Sequence, residues 1–304
     1  MSLVLSQNIQ PKPFVKWAGG KSQLIPHIES VLFPIISQVE CFSYIEPFVG
    51  GGAVLFHILS NFNHIEEIFI NDINQNLVKA YETIKFYPQE LIKKLKKIEQ
   101  EYYNLPNNEM KKFFYLQKRK EFNQLKDDDW IRNTALFFFL NKTCFNGLYR
   151  VNSKGLFNVP SGNYVQPKIC DELNILAVHN SLQKVKIFWG DFEQTLPSIQ
   201  LKNLVVYLDP PYKPIHSTSA FTSYTKDNFF DSDQLRLKKF CDAIHQQGGK
   251  FILSNSDVKN FDSENNFFDH LYQDYNIKRV QARRSINSKG NRRGKISELL
   301  ITNF

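Results

Sequence analysis

The amino-acid sequence predicts an α/β protein whose core is an open sheet. Short segments rich in β-branched and aromatic residues recur along the 304-residue chain, and Gly, Pro, Asn or Asp bounds each of them, as is typical of strands. Helical patterns lie between several of these segments, and such alternation is typical of a sheet covered by helices. The segments also end in acids or glycines, and open α/β sheets bind their ligands at the carboxyl ends of the strands.

Four strand-like segments carry this pattern. They are "CFSYIEPF" leading into Gly50-Gly51-Gly52, "IEEIFINDIN" reaching Asp72, "KVKIFWGDF" reaching Asp191 and "NLVVYLDPPY" reaching Asp209. One helical pattern begins at Leu24, just after Gly19-Gly20-Lys21, and another begins at Leu235. Gly248-Gly249 ends the second helix before a further strand, "KFILSNS".

Length and composition narrow the class of protein. A chain of 304 residues has room for one large domain or two ordinary ones, and its 42% hydrophobic and 22% charged content is ordinary for a folded protein in water. No apolar run approaches the ~18 residues of a membrane-spanning helix, and the first residues lack the basic start of a secretory signal. We therefore expect a cytoplasmic protein without a membrane partner. The four cysteines are scattered without a CxxC pair, so we expect reduced thiols and no metal site.

The middle of the chain differs from the rest. Residues 76–170 read as three helices and hold 17 Lys and Arg against 9 Asp and Glu, while the remaining chain holds 21 of each sign. A basic insert in a neutral body is typical of a protein that binds a polyanion, although a lysine-rich solvated helical face would give the same count. At the end of the insert, "LYRVN" and "LFNV" flank Ser153-Lys154-Gly155, which predicts a β-hairpin near residues 144–164.

Two stretches near the N-terminus predict a nucleoside site. Gly50-Gly51-Gly52 precedes Asp72 by about 20 residues, the spacing at which an acid can accept hydrogen bonds from ribose hydroxyls. The glycines do not fit GxGxxG, so a nucleoside without a pyrophosphate fits better than a dinucleotide. In "FVKWAGGKSQLI", Lys21 lies at a helix N-terminus and Trp17 offers an aromatic face. A tight turn and a buried tryptophan are the simpler interpretations of the two stretches.

The "DPPY" stretch predicts chemistry on an exocyclic amine. The lone pair of such an amine is delocalised into its ring, and two acceptors that hold its N–H groups would free that lone pair. Asp209 supplies a carboxylate, and the carbonyl of Pro210 is held in direction by Pro210 and Pro211. Tyr212 offers a face on which a displaced base can stack.

In their order along the chain, "FVKWAGGK", "EPFVGGG", "NDIN" and "DPPY" resemble the Dam family of DNA adenine-N6 methyltransferases. "CFNGLYRVNSKGLFNVPSG" and "RRSINSKGNRRGKISELLI" extend the resemblance from about Phe14 to the C-terminus. It implies a Rossmann-like, seven-stranded methyltransferase sheet with an inserted helical target-recognition domain that carries a β-hairpin. Residues 1–75 and 171–304 would form the domain that binds S-adenosylmethionine, and residues 76–170 the domain that recognises DNA.

The resemblance also implies roles for individual residues. Those that contact the cofactor would be Trp17, Lys21, Glu46, Phe48, Gly50, Asp72, Asp191 and Asp209. The catalytic residues would be Asp209, Pro210, Pro211 and Tyr212, acting on a flipped adenine. Those that contact DNA at 5′-GATC-3′ would be Lys16, Phe145, Asn146, Leu148, Arg150 and Pro160. Relatives often have arginine where this chain has Asn163, and this departure would weaken a phosphate or base contact at the recognition site.

Several further expectations stay open at this level. The alternatives are a cytosine-N4 methyltransferase and a DNA-binding regulator that retains the fold without catalysis. A restriction endonuclease is a possible genetic partner, and a monomer acting on double-stranded DNA is the default. We expect residues 213–230 to form a mobile lid. We also expect the basic tail from Arg279 to Lys295, with seven Lys and Arg and no acid, to contact phosphates.

Overall fold

The computed structural model of the chain contains two units. It describes residues 9–17, 19–21, 23–125, 129–196, 201–212, 229–283 and 295–304. The sheet unit comprises Lys21–Val49, His64–Ile73 and Lys186–Phe304, and the helical unit comprises Met1–Gly20, Gly50–Asn63 and Asn74–Val185. The domain boundaries given above stay predictions, and the lid and most of the basic tail lie outside the described residues.

The sheet unit is built on seven strands in the order β3-β2-β1-β4-β5-β7-β6. The strands are β1 (Phe42–Glu46), β2 (Ile65–Asp72), β3 (Val185–Trp189), β4 (Leu204–Leu208), β5 (Lys250–Ser256), β6 (Asn276–Arg283) and β7 (Lys295–Thr302). β1 pairs in parallel with β2 and β4, and β4 pairs in parallel with β5, whereas β7 is antiparallel to both β5 and β6. The predicted Rossmann-like α/β fold class is confirmed.

The strand order reverses between β1 and β4, which in open α/β sheets opens a crevice at the carboxyl ends of these strands. Every residue of β1 and of β4 is buried, because central parallel strands are covered on both faces. The helices of this unit are α1 (Ile25–Ile36), α8 (Asp231–Gln246) and α9 (Phe267–Leu271). Leu237, Phe240 and Ile244 of α8 belong to the same buried cluster as Val206 of β4. These contacts hold the strand that leads to Asp209.

The helical unit contains the three helices predicted for the basic insert. Its helices are α2 (Ala53–Asn61), α3 (Gln75–Phe86), α4 (Pro88–Tyr103), α5 (Asn108–Gln124), α6 (Trp130–Thr143) and α7 (Glu172–Ser181). α4 buries an apolar stripe that includes Leu91 and Leu95. α6 is buried over most of its length, and the side chain of Asp129 caps it by accepting a 2.9 Å hydrogen bond from the backbone N–H of Arg132.

The predicted hairpin is present as a short antiparallel pairing. Val151 lies opposite Phe157, and the backbone N–H of Asn158 donates to the carbonyl of Arg150 at 3.1 Å. The N–H of Gly155 closes the turn on the carbonyl of Asn152 at 2.8 Å. The arms also pair at Cys144 and Ser161, and both pairings are isolated bridges rather than continuous strands.

Two features are absent from the residues that the structure describes. No described helix combines the length and the apolar content that crossing a bilayer requires. Within the same residues, no three His, Cys, Asp or Glu side chains gather in a way that would hold a metal ion.

Candidate functional site

Three acids lie at the carboxyl ends of neighbouring strands in the sheet unit. Glu46 is the last residue of β1, Asp72 is the last residue of β2, and Asp209 follows β4. β1 pairs in parallel with both of the other strands, so the three side chains lie at one edge of the sheet. Glu46 and Asp72 are only 2% and 9% exposed, which is rare for carboxylates without a compensating charge.

The electrostatics of these acids favour a cationic ligand. Burial raises the pKa of Glu46 well above its ordinary value, the hydrogen bond from Tyr44 opposes this, and repulsion by Asp209 and Asp72 raises the pKa further. A positive charge at this edge would relieve the repulsion. S-adenosylmethionine carries a sulfonium and an ammonium group, so this set of buried carboxylates fits the cofactor that the resemblance implies.

Asp209 is held by two donors of the sheet unit. The ammonium Nζ of Lys21 lies 2.9 Å from Oδ1, and the hydroxyl of Ser254 on β5 donates to the same oxygen at 3.1 Å. Among the residues that the structure describes, both bonds to this carboxylate go to Oδ1, and Oδ2 receives none. Burial raises the pKa of Asp209, although Lys21 and Ser254 both favour its charged form.

Tyr212 lies in the same hydrogen-bond network. Its hydroxyl donates to Oε2 of Glu298 at 2.7 Å and accepts a hydrogen bond from Lys21. Burial raises the pKa of Tyr212, and the negative charges of Asp209 and Glu298 raise it further, so the phenol stays neutral. Pro210 is buried and Pro211 is exposed, and both lie between Asp209 and this tyrosine.

The other two predicted cofactor residues of the sheet unit lie in packed surroundings. Phe48 packs on the ring of Phe192, with 5.2 Å between ring centroids. Asp191 accepts a 3.0 Å hydrogen bond from the backbone N–H of Glu193 and forms a 2.8 Å ion pair with Arg236 on α8. Its carboxylate therefore stabilises the turn after β3.

Trp17 and Gly50 meet in the helical unit. Gly50 has a positive φ of 50°, and a Cβ added there would lie 3.0 Å from Cδ1 of Trp17. The indole also stacks on Tyr149, with ring centroids 5.3 Å apart. The glycine is therefore needed for a close approach to Trp17.

The predicted DNA-contacting residues also meet in the helical unit. A Cβ added to Gly147, which has a φ of +65°, would lie 2.3 Å from Cδ of Lys16, so this lysine side chain runs across the glycine. Lys16, Phe145, Asn146 and Pro160 are exposed, while Leu148 and Arg150 are half-buried. The backbone N–H of Phe145 donates to the carbonyl of Pro160 at 2.9 Å, which joins the two ends of the hairpin segment. Nε of Arg150 donates to the side chain of Asn158 at 2.8 Å.

Asn141 connects Lys16 to the hairpin segment. Its side chain accepts from the backbone N–H of Lys16 at 2.8 Å and donates to the carbonyls of Lys16 at 2.9 Å and Gly147 at 3.1 Å. Asn141 is 1% exposed, so this amide is satisfied entirely within the protein.

Sequence reasoning missed Asn141, Ser254 and Glu298. The signal for Glu298 was available, because an acid inside the apolar stretch "ISELLI" is the same anomaly that drew attention to Asp209. Asn141 and Ser254 carry no such signal, since uncharged polar residues are common in helices and strands.

Comparison with known proteins decides the family. Residues 17–286 match the family described as D12 class N6 adenine-specific DNA methyltransferase. The chain belongs to this family. It is therefore an N6-adenine DNA methyltransferase, its methyl donor is S-adenosylmethionine, and DNA is its substrate.

Relatives of this D12 methyltransferase span almost its whole length. Type II methyltransferase M.MjaIII of Methanocaldococcus jannaschii is 47% identical over 97% of this chain and 100% of its own. Type II methyltransferase M1.LlaDCHI of Lactococcus lactis subsp. cremoris is 36% identical over 100% of this chain and 99% of its own. A DNA adenine methylase of Vibrio cholerae is 34% identical over 95% of each chain. Membership of the adenine-specific family favours adenine N6 over cytosine N4 as the methylated atom.

Proposed function

We propose that this D12 methyltransferase modifies the adenine of 5′-GATC-3′ in double-stranded DNA. The observation that carries the proposal is the contact between Lys16 and Gly147, which joins two segments that the resemblance assigns to reading this sequence. Around it lie the exposed Phe145 and Asn146 and the half-buried Arg150. Arginine and lysine suit the major-groove edge of guanine, and an exposed aromatic ring can take the place of an expelled base.

The reacting amine is activated by Asp209 and the carbonyl of Pro210. With Oδ1 held by Lys21 and Ser254, Oδ2 is the oxygen available to accept an N6–H of the adenine. Accepting both N–H groups draws the nitrogen towards a tetrahedral geometry and frees its lone pair. Tyr212, as a neutral phenol, stacks on the adenine that has left the duplex. S-adenosylmethionine, when bound, supplies an electrophilic methyl group on a sulfonium centre.

The cofactor is held mainly by acids of the sheet unit. Asp72 binds the ribose hydroxyls, Glu46 faces the positively charged end, and Phe48 contributes an apolar surface beside it. Asp191 acts through the turn it stabilises. The roles predicted for Trp17, Lys21 and Gly50 in cofactor binding remain part of the proposal.

We further propose that the enzyme protects DNA from a restriction endonuclease and acts as a cytoplasmic monomer. Two of its relatives are named type II methyltransferases, which supports the first part. A monomer can modify a palindrome one strand at a time.

Transfer of tritiated methyl groups tests the proposed site. One duplex contains a single GATC, and the control duplex has the same composition with the tetranucleotide scrambled. Label in the first duplex alone, recovered as N6-methyladenine after nucleoside digestion, is expected. Equal labelling of both duplexes would refute the site, and N4-methylcytosine would refute the adenine assignment.

A further inference from the structure

Glu298 is a buried acid to which the activity described above gives no role. It lies on β7, opposite Ser256 of β5 and Val280 of β6, and is 5% exposed. Its neighbours Leu299 and Leu300 are buried apolar residues. A carboxylate in such a strand is costly unless it is paired, so its partners indicate its purpose.

These partners are the groups that surround the reacting amine. Oε2 of Glu298 accepts the Tyr212 hydroxyl at 2.7 Å and lies 3.8 Å from Nζ of Lys21. The same Nζ lies 2.9 Å from Oδ1 of Asp209. The buried Glu298 and the half-buried Asp209 thus share one ammonium group.

We infer that Glu298 is a positioning residue of the methyl transfer, which shares the Lys21 charge with Asp209 and fixes the ring of Tyr212. The inference rests on the proposed roles of Asp209 and Tyr212. An ammonium ion bound to Asp209 alone would withdraw charge from the carboxylate that must accept the amine protons. Glu298 gives the ammonium group a second acceptor 3.8 Å away, so that Asp209 does not carry the interaction with this charge alone.

The bond to Tyr212 has a separate consequence. Hydrogen bonds to the hydroxyl restrict the rotation of a tyrosine ring, and Glu298 accepts one such bond from Tyr212 while Lys21 donates another. The ring then keeps one orientation for stacking on the flipped adenine, and that orientation is set before DNA binds.

The charged and titratable groups around Glu298 and Asp209 come from several elements. They are Lys21 before α1, Glu46 on β1, Tyr207 on β4, and Asp209 and Tyr212 after β4. Burial raises the pKa of Glu298, Lys21 and the Tyr212 hydroxyl oppose this, and Asp209 raises it. Since repulsion is mutual, removing the charge of Glu298 lowers the pKa of Asp209.

Three variants separate the sharing of the Lys21 charge from the positioning of the Tyr212 ring. Glu298→Gln keeps an acceptor for Tyr212 and removes the charge, Glu298→Ala removes both, and Tyr212→Phe removes the hydroxyl bond and keeps the stacking face. Single-turnover rates at saturating cofactor and DNA are expected to fall about tenfold for Glu298→Gln and about a hundredfold for Glu298→Ala. DNA dissociation constants are expected to stay within about twofold of the wild type, because Glu298 is only 5% exposed. The acid limb of the pH–rate profile of Glu298→Gln should move to lower pH.

Thr302→Val is the matched control, because Thr302 is a polar residue of the same strand that is 7% exposed and lies away from the network. Unchanged rates and pH profile in both Glu298 variants would overturn the inference. The inference would also be overturned if the Glu298 variants lost rate only in proportion to their loss in melting temperature, as Thr302→Val does, while the acid limb of their pH–rate profile stayed in place.

A second measurement is independent of the substrate. In thermal unfolding without cofactor or DNA, Lys21→Met should destabilise the wild type more than it destabilises Glu298→Gln, because only the wild type is left with two unpaired carboxylates. Additive effects would refute the shared ammonium group. A wild type that fails to label GATC while the coupling is present would refute the proposed function and leave the pairing intact.

Discussion

The surroundings of each acid determine its role at the edge of the sheet. Asp209 has a lysine within 2.9 Å, whereas Glu46 has a tyrosine hydroxyl at 2.8 Å and two neighbouring negative charges. The lysine favours the ionised form of Asp209, which is the form that accepts hydrogen bonds from an amine. The negative charges that repel Glu46 would favour the binding of a cation beside it. We therefore expect the two carboxylates of this edge to perform different tasks.

Asp209→Asn should remove methyl transfer without removing DNA binding. The amide keeps the size of the side chain but replaces a charged acceptor, so we expect the single-turnover rate to fall by about 100- to 1000-fold. A gel-shift or anisotropy titration should give a DNA dissociation constant close to that of the wild type. The exposed Asp262 supplies the control substitution Asp262→Asn, which should leave both quantities unchanged. A rate for Asp209→Asn within tenfold of the wild type would contradict the role of the carboxylate.

Glu46→Gln should stabilise the cofactor-free protein, and more so at higher pH. The folded-state pKa of Glu46 is raised above its ordinary value, so folding favours the protonated acid. Stability is then lost as pH rises above the ordinary glutamate pKa of about 4.3 towards the raised one. The amide lacks this loss and can still accept the Tyr44 hydroxyl. The melting temperature of Glu46→Gln should therefore exceed that of the wild type by a few degrees more at pH 8 than at pH 5. A difference between the two proteins that is the same at both pH values would refute the argument.

Single elements show which parts of the fold were readable from the sequence. β1 and β4 were predicted because both segments are short, rich in β-branched or aromatic residues, and bounded by turn-forming residues. β6 and β7 were not predicted as a pair, because a long polar stretch separates them in the sequence. The partners of Glu298 could not be predicted for a different reason: Lys21 and Tyr212 are distant from it in the sequence, and only the folded sheet brings the three together.

The helical insert shows the same limit. Amphipathic spacing predicted α4, whose apolar stripe is buried. The same reasoning predicted α5, but Met110, Phe113 and Leu116 are exposed there, because periodicity does not tell how much of a helix its neighbours cover. The contact of Lys16 with Gly147 was not predicted, because the two positions are 131 apart in the sequence. The family resemblance assigned both segments to DNA but did not give this contact.

Gly147→Ala should impair DNA reading through Lys16. The added methyl group would lie 2.3 Å from Cδ of Lys16 and must displace that side chain. We expect weaker discrimination at the first base of the site, measured as the ratio of single-turnover rates on GATC and AATC duplexes. Gly248→Ala is the matched control, because Gly248 has a similar φ of +76° and nothing within 4 Å of the added Cβ. Both variants carry the backbone strain, about 1–2 kcal/mol, so a loss of discrimination in both would assign it to strain.

The charge of the whole molecule is unevenly distributed. Its net charge is +8, and residues 76–170 hold an excess of basic residues equal to that total, while the remainder balances. The sequence left open whether this excess binds a polyanion or only solvates helices, and membership of a DNA methyltransferase family favours the first interpretation. Charges that contact phosphates release counterions on binding, which solvating charges do not. The salt dependence of DNA binding therefore distinguishes lysines that contact phosphates from lysines that only solvate a helix.

Lys154→Ala should reduce the salt dependence of DNA binding, whereas Lys239→Ala should not. Both lysines are exposed, but Lys154 lies at the tip of the hairpin in the basic insert and Lys239 lies on α8 in the neutral remainder. Loss of one phosphate contact should lower the slope of log K against log salt concentration by about 0.9. Anisotropy titrations between about 50 and 200 mM salt measure this slope. If neither variant changes it, the excess charge at the hairpin tip is a solvated surface, and the DNA contacts must come from elsewhere in the chain.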